Sequence, residues 1–562
     1  MDFKKELAGL IAQNAGITPE ECMEYMEIPP QKEMGDFAFP CFKLAKILRK
    51  APPVIAGELK ETLSLPAFVS DCRVQGGYLN FFIDPARRAE AVLREIDAAG
   101  EAYGASDAGR GKTVCMDYSS INIAKRCHIG HLTTTVLGNS LAKIYRFLGY
   151  QVVSINHLGD WGTQFGKLLC AFFYWGDRTE IERKGVDALI ALYVRFEKEA
   201  DEAMQEEARA WFKKIEDDDP EALKLFSWFK EITLKDVARI YEMLDVHFDS
   251  YAGESFYKDK CDAVIQELRE KKLLEFSEGA YVVKLDEFDM PPCILLKSDG
   301  ASIYATRDMA AAFYRKKTYN FDKCLYIVAY QQNLHFKQVF KVIELMGYPW
   351  AKDLVHVPFG MVSFEGETLS TRKGHVVYLD EVLERACEKA LDIIDEKNPG
   401  LPDKQKVARQ VGIGAVVFYD LFSSRIKDVD FWWDRALNFE GETGPYVQYA
   451  HTRCCSVMAK APACQVQKAD FSALKDEASR ELIAKLESFP AVVAEAAEKY
   501  EPSVITRYSA ALAQCYNKFY FENRILSEAE PVLQARLLVT KCTRDVLKTA
   551  LGLLGIAAPE KM

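Results

Sequence analysis

The sequence predicts an α/β fold with a parallel sheet in the middle of the chain, an α+β domain before it and an all-α domain after it. Three observations lead to this prediction. A strand, a polar loop, a helix and a second strand follow one another between residues 113 and 155, and this order is a βαβ unit. An amphipathic helix and strand-like runs mix before residue 110. Beyond the Pro- and Gly-containing segment 398–403, apolar residues recur at helical spacing almost to the end.

The first strand of the βαβ unit leads into a polar loop, residues 117–131, which we call the signature segment. In open parallel sheets, ligands bind at the carboxyl ends of the strands. His128 and His131 are three apart in the first turn of the following helix, and Gly130 between them has no Cβ to keep a flat base away. Because helix N-termini favour anions, the segment predicts a cradle for a triphosphate. By itself, a histidine pair at a helix start more often caps or packs.

A second polar cluster is predicted at the same edge of the sheet. Tyr304 and Asp308 are four apart at a helix start and therefore share a face, and Gln332 follows the buried-type strand 324–329. Asp308 alone is also consistent with a first-turn carboxylate that the helix dipole stabilises.

Composition describes an ordinary globular protein and excludes several classes. The chain has 562 residues, too many for one core, with 49% hydrophobic and 28% charged residues. No apolar run reaches the length of a membrane span, and the chain opens on an amphipathic helix rather than a signal peptide. The 15 cysteines include no Cys-x-x-Cys pair, and there are only 8 histidines. We therefore expect buried free thiols, no protein-bound zinc or other metal, and a cytoplasmic location.

Breaks in composition divide the chain into three predicted domains. Residues 1–110 form an α+β domain that ends in a Gly-containing linker, and residues 111–395 form the nucleotide-binding domain. The second domain carries a helical, charge-rich insertion at about 176–250 and a smaller one at about 254–297. Residues 396–562 form the helical domain. We find no catalytic cluster in the first insertion.

The run His128-Ile129-Gly130-His131 after a strand resembles the first signature of class I aminoacyl-tRNA synthetases. The wider blocks 117–125, 157–166 and 441–451 are similar to those of the arginyl-tRNA synthetase family. The resemblance implies a Rossmann-type class I catalytic domain that joins L-arginine to tRNA(Arg) through arginyl-adenylate. It also implies ATP as a substrate, Mg²⁺ carried with ATP, and an activation step that requires bound tRNA.

The resemblance assigns roles to the residues at matching positions. The arginine pocket it implies consists of Asp117, Ser120, Asn122, Tyr304, Asp308 and Gln332. The ATP-binding residues it implies are His128, Gly130, His131, Ser370, Thr371 and Lys373. The catalytic residues it implies are His128, His131, Lys125, Arg372 and Lys373. The second class I motif departs from the family pattern, because Thr371 stands where a lysine is usual, so which cation meets the phosphates stays open.

The resemblance also implies two groups of tRNA-binding residues. In the N-terminal domain they are Gln75, Tyr78 and Asn80, which would contact the outer corner of the tRNA. In the helical domain they are Tyr446, Tyr449, Arg453, Tyr520 and Met562, which would contact the anticodon loop. Aromatic and guanidinium planes can stack unpaired bases, although tyrosines at helical spacing alone are more often core residues. The net charge of −11 argues against nonspecific RNA binding, so we expect a steep salt dependence.

Two other functions remain open from the sequence. Another class I synthetase, or a small-molecule adenylyl ligase of the same fold, would lack the Tyr304–Asp308 pair and the helical C-terminal domain. An inactive RNA-binding paralogue would not need His128, Gly130 and His131, all of which are present. We expect a monomer without membrane partners.

Overall fold

The middle of the chain folds around a four-stranded parallel sheet. The computed structural model describes residues 3–368 and 376–562. The strand order is Leu354–Phe359, Lys323–Ala329, Thr113–Asp117 and Gln151–Ile155. Neighbouring strands pair in parallel, so their carboxyl ends meet at one edge. The predicted strands at 113–116, 151–155 and 324–329 are therefore confirmed, and the sheet is parallel as expected.

The helix that follows the signature segment packs tightly against this sheet. A single 3-10 turn, Ile129–His131, leads into the helix Leu132–Phe147. The helix ends just before Gly149, whose backbone is left-handed with φ 84°. Most residues of this helix are buried. A Cβ on Gly138 would lie 2.2 Å from the ring of Tyr118, so only glycine allows this approach of the helix to the segment.

The first predicted insertion is helical, as expected. Asp219 begins its longest helix, Pro220–Leu244, by accepting hydrogen bonds from the backbone N–H groups of Glu221 and Ala222. The second insertion holds a three-stranded antiparallel sheet where the sequence indicated one strand; its strands are Glu275–Ser277, Ala280–Val283 and Cys293–Lys297. The helix Thr163–Trp175 precedes the first insertion. The helices of the two insertions are Arg178–Lys184, Val186–Glu199, Glu202–Glu216, Pro220–Leu244, Glu254–Tyr257 and Cys261–Glu270.

The segment after residue 396 is helical with one exception. The strand Val429–Phe431 pairs in parallel with Val362–Phe364, which in turn pairs with Glu367–Thr368. The sequence gives no sign of this strand, because three residues carry too little periodicity to reveal one. The helices from Tyr304 onward are Tyr304–Tyr319, Asn333–Leu345, Leu379–Lys397, Lys404–Phe422, Trp433–Ala436, Gly444–Lys460, Glu477–Glu487, Phe489–Glu498, Ser503–Glu522 and Glu530–Leu553.

The chain divides into two compact units. The first contains Met1–Tyr103, Arg453–Phe489 and Leu512–Val546, and the second contains Gly104–Thr452, Pro490–Ala511 and Leu547–Met562. The first unit holds an antiparallel sheet in the order Phe37–Pro40, Tyr78–Ile83 and Val69–Gln75. Its N-terminal helices are Phe3–Ala15, Pro19–Tyr25, Ala45–Leu48, Pro52–Thr62 and Pro85–Ala99. The predicted domain boundaries stay a prediction.

Two further features concern the cysteines and the apolar character of the helices. All cysteines are free thiols, and most of them are buried. Among the helices described, none combines the length and the apolar character that crossing a bilayer requires.

Candidate active site

The signature segment contains backbone that is unusual for residues with a side chain. Ser119, Ser120 and Ala124 are left-handed, with φ 69°, 46° and 59°. Such backbone costs on the order of 1–3 kcal/mol per residue and persists only where neighbours hold it. The N–H of Ser119 donates to Thr134 Oγ1 at 3.1 Å, and the N–H of Ala124 donates to Thr233 Oγ1 at 3.0 Å. The loop is therefore held in a shape it would not adopt alone.

Part of this support comes from the first insertion, in which we expected no catalytic cluster. The helix Pro220–Leu244 contributes Thr233 and Tyr241, which are 2% and 4% exposed. The Tyr241 hydroxyl lies 2.7 Å from Ser119 Oγ and accepts a hydrogen bond from Asn156 Nδ2 at 2.7 Å. The insertion thus fixes the signature segment through buried hydrogen bonds.

The two histidines of the segment lie side by side with their ring centroids 4.1 Å apart. The N–H of Gly130 donates to His128 Nδ1 at 3.1 Å, and the N–H of His128 donates to His131 Nδ1 at 3.2 Å. His131 Nδ1 is also 3.3 Å from the His128 carbonyl oxygen, but the amide always carries its proton, so Nδ1 is the acceptor. Each neutral ring therefore keeps its proton on Nε2.

Both rings are neutral at pH 7. Burial lowers the pKa of His131 to about 4, and the neighbouring His128 and Lys125 add to this effect. Burial, followed by the charge of Lys125, also lowers the pKa of His128. Within the described part of the chain, neither Nε2 has a hydrogen-bond partner. The pair therefore offers two N–H donors without a positive charge of its own, close to the exposed side chain of Lys125.

The other side of the signature segment pairs with residues 377–379. The N–H of Ile129 donates to the Val377 carbonyl oxygen at 2.9 Å. The Arg126 guanidinium lies 3.7 Å from the Tyr378 ring centroid and donates to Asp380 at 2.8 Å. These residues follow the second predicted motif. The predicted residues Ser370, Thr371, Arg372 and Lys373 themselves lie outside the described residues.

Asp117, the last residue of its strand, forms an ion pair with the buried guanidinium of Arg315. Arg315 is fully buried, and its Nη2 donates to Asp117 Oδ2 at 2.7 Å. The other oxygen of Asp117 accepts a hydrogen bond from Ser120 Oγ at 2.9 Å. Arg315 Nη2 also lies 3.2 Å from His157 Nδ1, which must accept because a guanidinium has no lone pair to offer. The predicted pair Asp117 and Ser120 is therefore in contact.

Asp308 lies on the helix Tyr304–Tyr319 and has a different partner. Its Oδ2 is 2.6 Å from His335 Nε2. Burial would raise the pKa of this carboxyl group, but the hydrogen bond and charge of His335, with the charges of His157 and Arg315, lower it overall. A quarter of the Asp308 side chain remains exposed. Asp308 is thus an ionised carboxylate with one open side.

Tyr304 begins the same helix and is 65% exposed. The Arg307 guanidinium lies 5.1 Å from the centroid of its ring. Arg307 is itself held by Glu254 at 2.9 Å. Burial raises the pKa of Glu254 to about 7, and the charges of Asp308 and Asp160 add to the rise while Arg307 opposes it.

The remaining predicted pocket residues are exposed. Asn122 pairs with Gly159 in a parallel bridge, and a Cβ on Gly159 would lie 2.4 Å from the Asn122 side-chain oxygen. Gln332 lies in the 3-10 turn Tyr330–Gln332 at the end of a sheet strand. Both side chains are available to a ligand at this edge of the sheet.

Two of the predicted RNA-contact residues line one cavity in the second unit. Tyr449 and Met562 border a cavity of about 900 Å³, together with Trp433 and Phe439. Tyr449 is 43% exposed, whereas Tyr446 is half-buried. The backbone oxygen of Met562 accepts a hydrogen bond from Asn398 Nδ2 at 3.1 Å, which anchors the end of the chain at this cavity.

The first unit contains the other predicted RNA-contact residues. The Arg453 guanidinium lies 5.1 Å from the Tyr520 ring centroid, and Tyr520 is 42% exposed. Gln75 is exposed and Tyr78 half-buried in neighbouring strands. Asn80 differs from the expectation of a base contact, because it is only 4% exposed. The core face of this strand carries Leu79, Phe81 and Ile83, so Asn80 is buried on the opposite face.

Comparison with known proteins decides the family. Residues 93–433 match "tRNA synthetases class I (R), catalytic domain", residues 447–562 match "DALR anticodon binding domain", and residues 1–83 match "Arginyl tRNA synthetase N terminal domain". The chain is 52% identical to the arginine–tRNA ligase of Alkaliphilus metalliredigens and 50% identical to that of Clostridioides difficile, with 100% of each chain covered. The solved structure of Thermus thermophilus arginyl-tRNA synthetase superposes with a TM-score of 0.82 at 29% identity, again over 100% of both chains.

The chain belongs to the arginyl-tRNA synthetase family. The resemblance drawn from the signature segment is therefore confirmed, as is the predicted fold class. Membership in this family makes the chain a ligase with a class I catalytic domain.

Several residues around the site were missed from the sequence. Arg315 and Tyr241 are helix residues whose burial depends on distant parts of the chain, and nothing local distinguishes them. His157 and His335 had a signal, because each follows a sheet strand closely at the carboxyl edge. That position alone could have marked both as candidates.

Proposed function

We propose that the chain is an arginine–tRNA ligase that activates L-arginine with ATP and transfers it to the 3'-terminal ribose of tRNA(Arg). The observation that carries the proposal is the ionised, partly exposed Asp308 carboxylate at the ligand edge of a catalytic domain of this family. A planar cation is the ligand that such a carboxylate binds best.

In this proposal, Asp308 and Tyr304 hold the guanidinium of the substrate. Asp308 supplies the charge, and the exposed ring of Tyr304 supplies an aromatic surface. Asn122, Gln332, Ser120 and Asp117 contact the amino-acid end of the substrate. The exposed side chains of Asn122 and Gln332 and the half-buried side chain of Ser120 support this assignment. Asp117 is already paired with Arg315, so it contributes hydrogen bonds rather than an uncompensated charge.

The first chemical step joins the arginine carboxylate to ATP. A carboxylate oxygen attacks the α-phosphorus in line, the bond to the β-phosphate oxygen breaks, and pyrophosphate leaves. His128 and His131 donate from Nε2 to the phosphate oxygens as charge develops, and Gly130 leaves room for the base. Mg²⁺ enters with ATP as its counter-ion. Lys125 supplies a further cation, and Ser370, Thr371, Arg372 and Lys373 complete the phosphate site.

In the second step, a hydroxyl group of the terminal ribose attacks the arginyl carbonyl carbon and AMP leaves. We propose that residues 1–110 and 396–562 bind the tRNA. Gln75 and Tyr78 contact its outer corner, and Tyr446, Tyr449, Arg453, Tyr520 and Met562 contact the anticodon loop. Asn80 could join them only if its buried side chain turned outward. We also propose that arginine activation waits for bound tRNA, and that the chain is a cytoplasmic monomer.

Charging of total tRNA with each labelled amino acid in turn tests this function. We expect arginine alone to become attached to tRNA. Attachment of a different amino acid would favour another class I synthetase. Binding of tRNA without any charging would favour an inactive RNA-binding paralogue.

A further inference from the structure

Asp308 has a partner inside the protein before any substrate arrives. His335 lies in the first turn of the helix Asn333–Leu345, and its Nε2 is 2.6 Å from Asp308 Oδ2. The His335 and Asp308 side chains are 24% and 25% exposed. One side of the pair is therefore packed in the protein, and the other side is open to a ligand.

Two arginines near Asp308 are kept away from it by other carboxylates. Arg315 is paired with Asp117 at 2.7 Å, and Arg307 is paired with Glu254 at 2.9 Å. Among the described residues, His335 is the one hydrogen-bond partner of the Asp308 carboxylate. The protein's own guanidinium groups therefore leave Asp308 free for a guanidinium from outside.

Orientation matters for this carboxylate because of the shape of its ligand. A guanidinium makes two parallel N–H···O bonds only when the carboxylate lies in its plane. A free aspartate rotates about its side-chain bonds, and fixing it on binding costs affinity. A donor that already holds one oxygen removes that cost.

We propose that His335 is a positioning residue that sets how tightly Asp308 binds the guanidinium of arginine. The proposal rests on the proposed function, in which Asp308 contacts that guanidinium. His335 donates from Nε2, holds the plane of the carboxylate, and leaves the remaining lone pairs to the substrate. His335 does not contact the reacting atoms, so its effect appears in arginine binding and not in the chemical step.

Four variants of the full chain test this role. His335→Ala removes the donor, whereas His335→Gln keeps an N–H at a similar distance along the side chain. Asp308→Asn tests the proposed function separately. His356→Gln is the matched control, because His356 packs against Phe336, as His335 does, but its Nε2 donates to the Val328 carbonyl oxygen instead of Asp308.

The measurements are the Kd for arginine by calorimetry, and kcat and the KM for ATP from aminoacylation. We expect His335→Ala to weaken arginine binding about tenfold, the value of one charge-assisted hydrogen bond, with kcat and the KM for ATP within about twofold. His335→Gln should recover most of the lost affinity, and His356→Gln should bind arginine like the parent chain.

Each contrary outcome is distinct. Unchanged arginine affinity in His335→Ala, with a severe loss in Asp308→Asn, would overturn the role of His335 and leave the proposed function intact. Normal arginine affinity in Asp308→Asn would overturn the proposed function. An equal loss in His335→Ala, His335→Gln and His356→Gln would mean that packing, not positioning of Asp308, sets the affinity, and would also overturn the proposal.

Discussion

Asp420 offers a stability test whose size and pH range follow from the structure. It lies on the helix Lys404–Phe422, is 5% exposed, and accepts one hydrogen bond, from Thr133 Oγ1 at 2.7 Å. Its other oxygen has no partner among the described residues. Burial raises the pKa of this carboxyl group from 3.8 to about 7, while the Thr133 hydrogen bond opposes the rise.

The sign of the effect follows from proton binding. Between pH 4 and pH 7 the unfolded chain releases this proton while the folded chain keeps it, so stability falls as the pH rises. One pKa unit corresponds to about 1.4 kcal/mol, so the carboxyl group destabilises the folded state by roughly 2 kcal/mol at pH 5 and by roughly 4 kcal/mol at pH 8. Asp420→Asn removes the titration and keeps an acceptor for Thr133.

Scanning calorimetry of the parent chain and Asp420→Asn at several pH values measures this difference. We expect the Tm of the variant, relative to the parent, to rise by roughly 3–5 °C between pH 5 and pH 8, because about 1 kcal/mol shifts the Tm of a unit this large by roughly 1–2 °C. Any constant cost of the amide cancels in this comparison. A Tm difference that is flat with pH, or that is larger at pH 5, would refute the reasoning.

Four further changes test the site. His128→Ala should lower kcat about 10²- to 10³-fold in aminoacylation with little change in the Kd for arginine, because its donor acts on developing charge; unchanged turnover would exclude that role. Tyr449→Ala should raise the KM for tRNA by about 5- to 100-fold, the value of one base stack, and an unaltered KM would exclude stacking by this exposed ring. Tyr241→Phe should lower the free energy of unfolding by about 1–3 kcal/mol, since Ser119 and Asn156 lose a shared partner; equal denaturation midpoints would contradict this. Arg315→Met should lower the free energy of unfolding by about 3–5 kcal/mol, because it leaves the Asp117 carboxylate buried without its ion-pair partner. An unchanged urea denaturation midpoint would argue against this contribution of the ion pair.

Local rules predicted the parts of the site that depend on local structure. Asp117 ends a strand, and His128 and His131 lie at the start of the following helix, so local structure places them at the carboxyl edge of the sheet as predicted. Tyr304 and Asp308 were predicted in the same way. These features need only the neighbouring residues to form.

The rest depends on contacts between distant parts of the chain. Thr233 and Tyr241 support the signature segment from more than 100 residues away, inside an insertion whose sequence indicates only a solvated helix. Arg315 is an arginine on a helix, which usually indicates a surface, and only the pairing with Asp117 explains its burial. Asn80 is the opposite case, because it is buried although it lies on the strand face away from Leu79 and Phe81, and no local pattern indicates this burial.

The central claim is that Asp308 receives the guanidinium of the substrate. A crystal structure of the chain with bound L-arginine tests it most directly. The account predicts guanidinium nitrogens about 2.7–3.2 Å from the Asp308 carboxylate, with the ring of Tyr304 beside them and the His335 contact retained. A guanidinium bound elsewhere, with Asp308 facing the α-amino group or solvent, would contradict it.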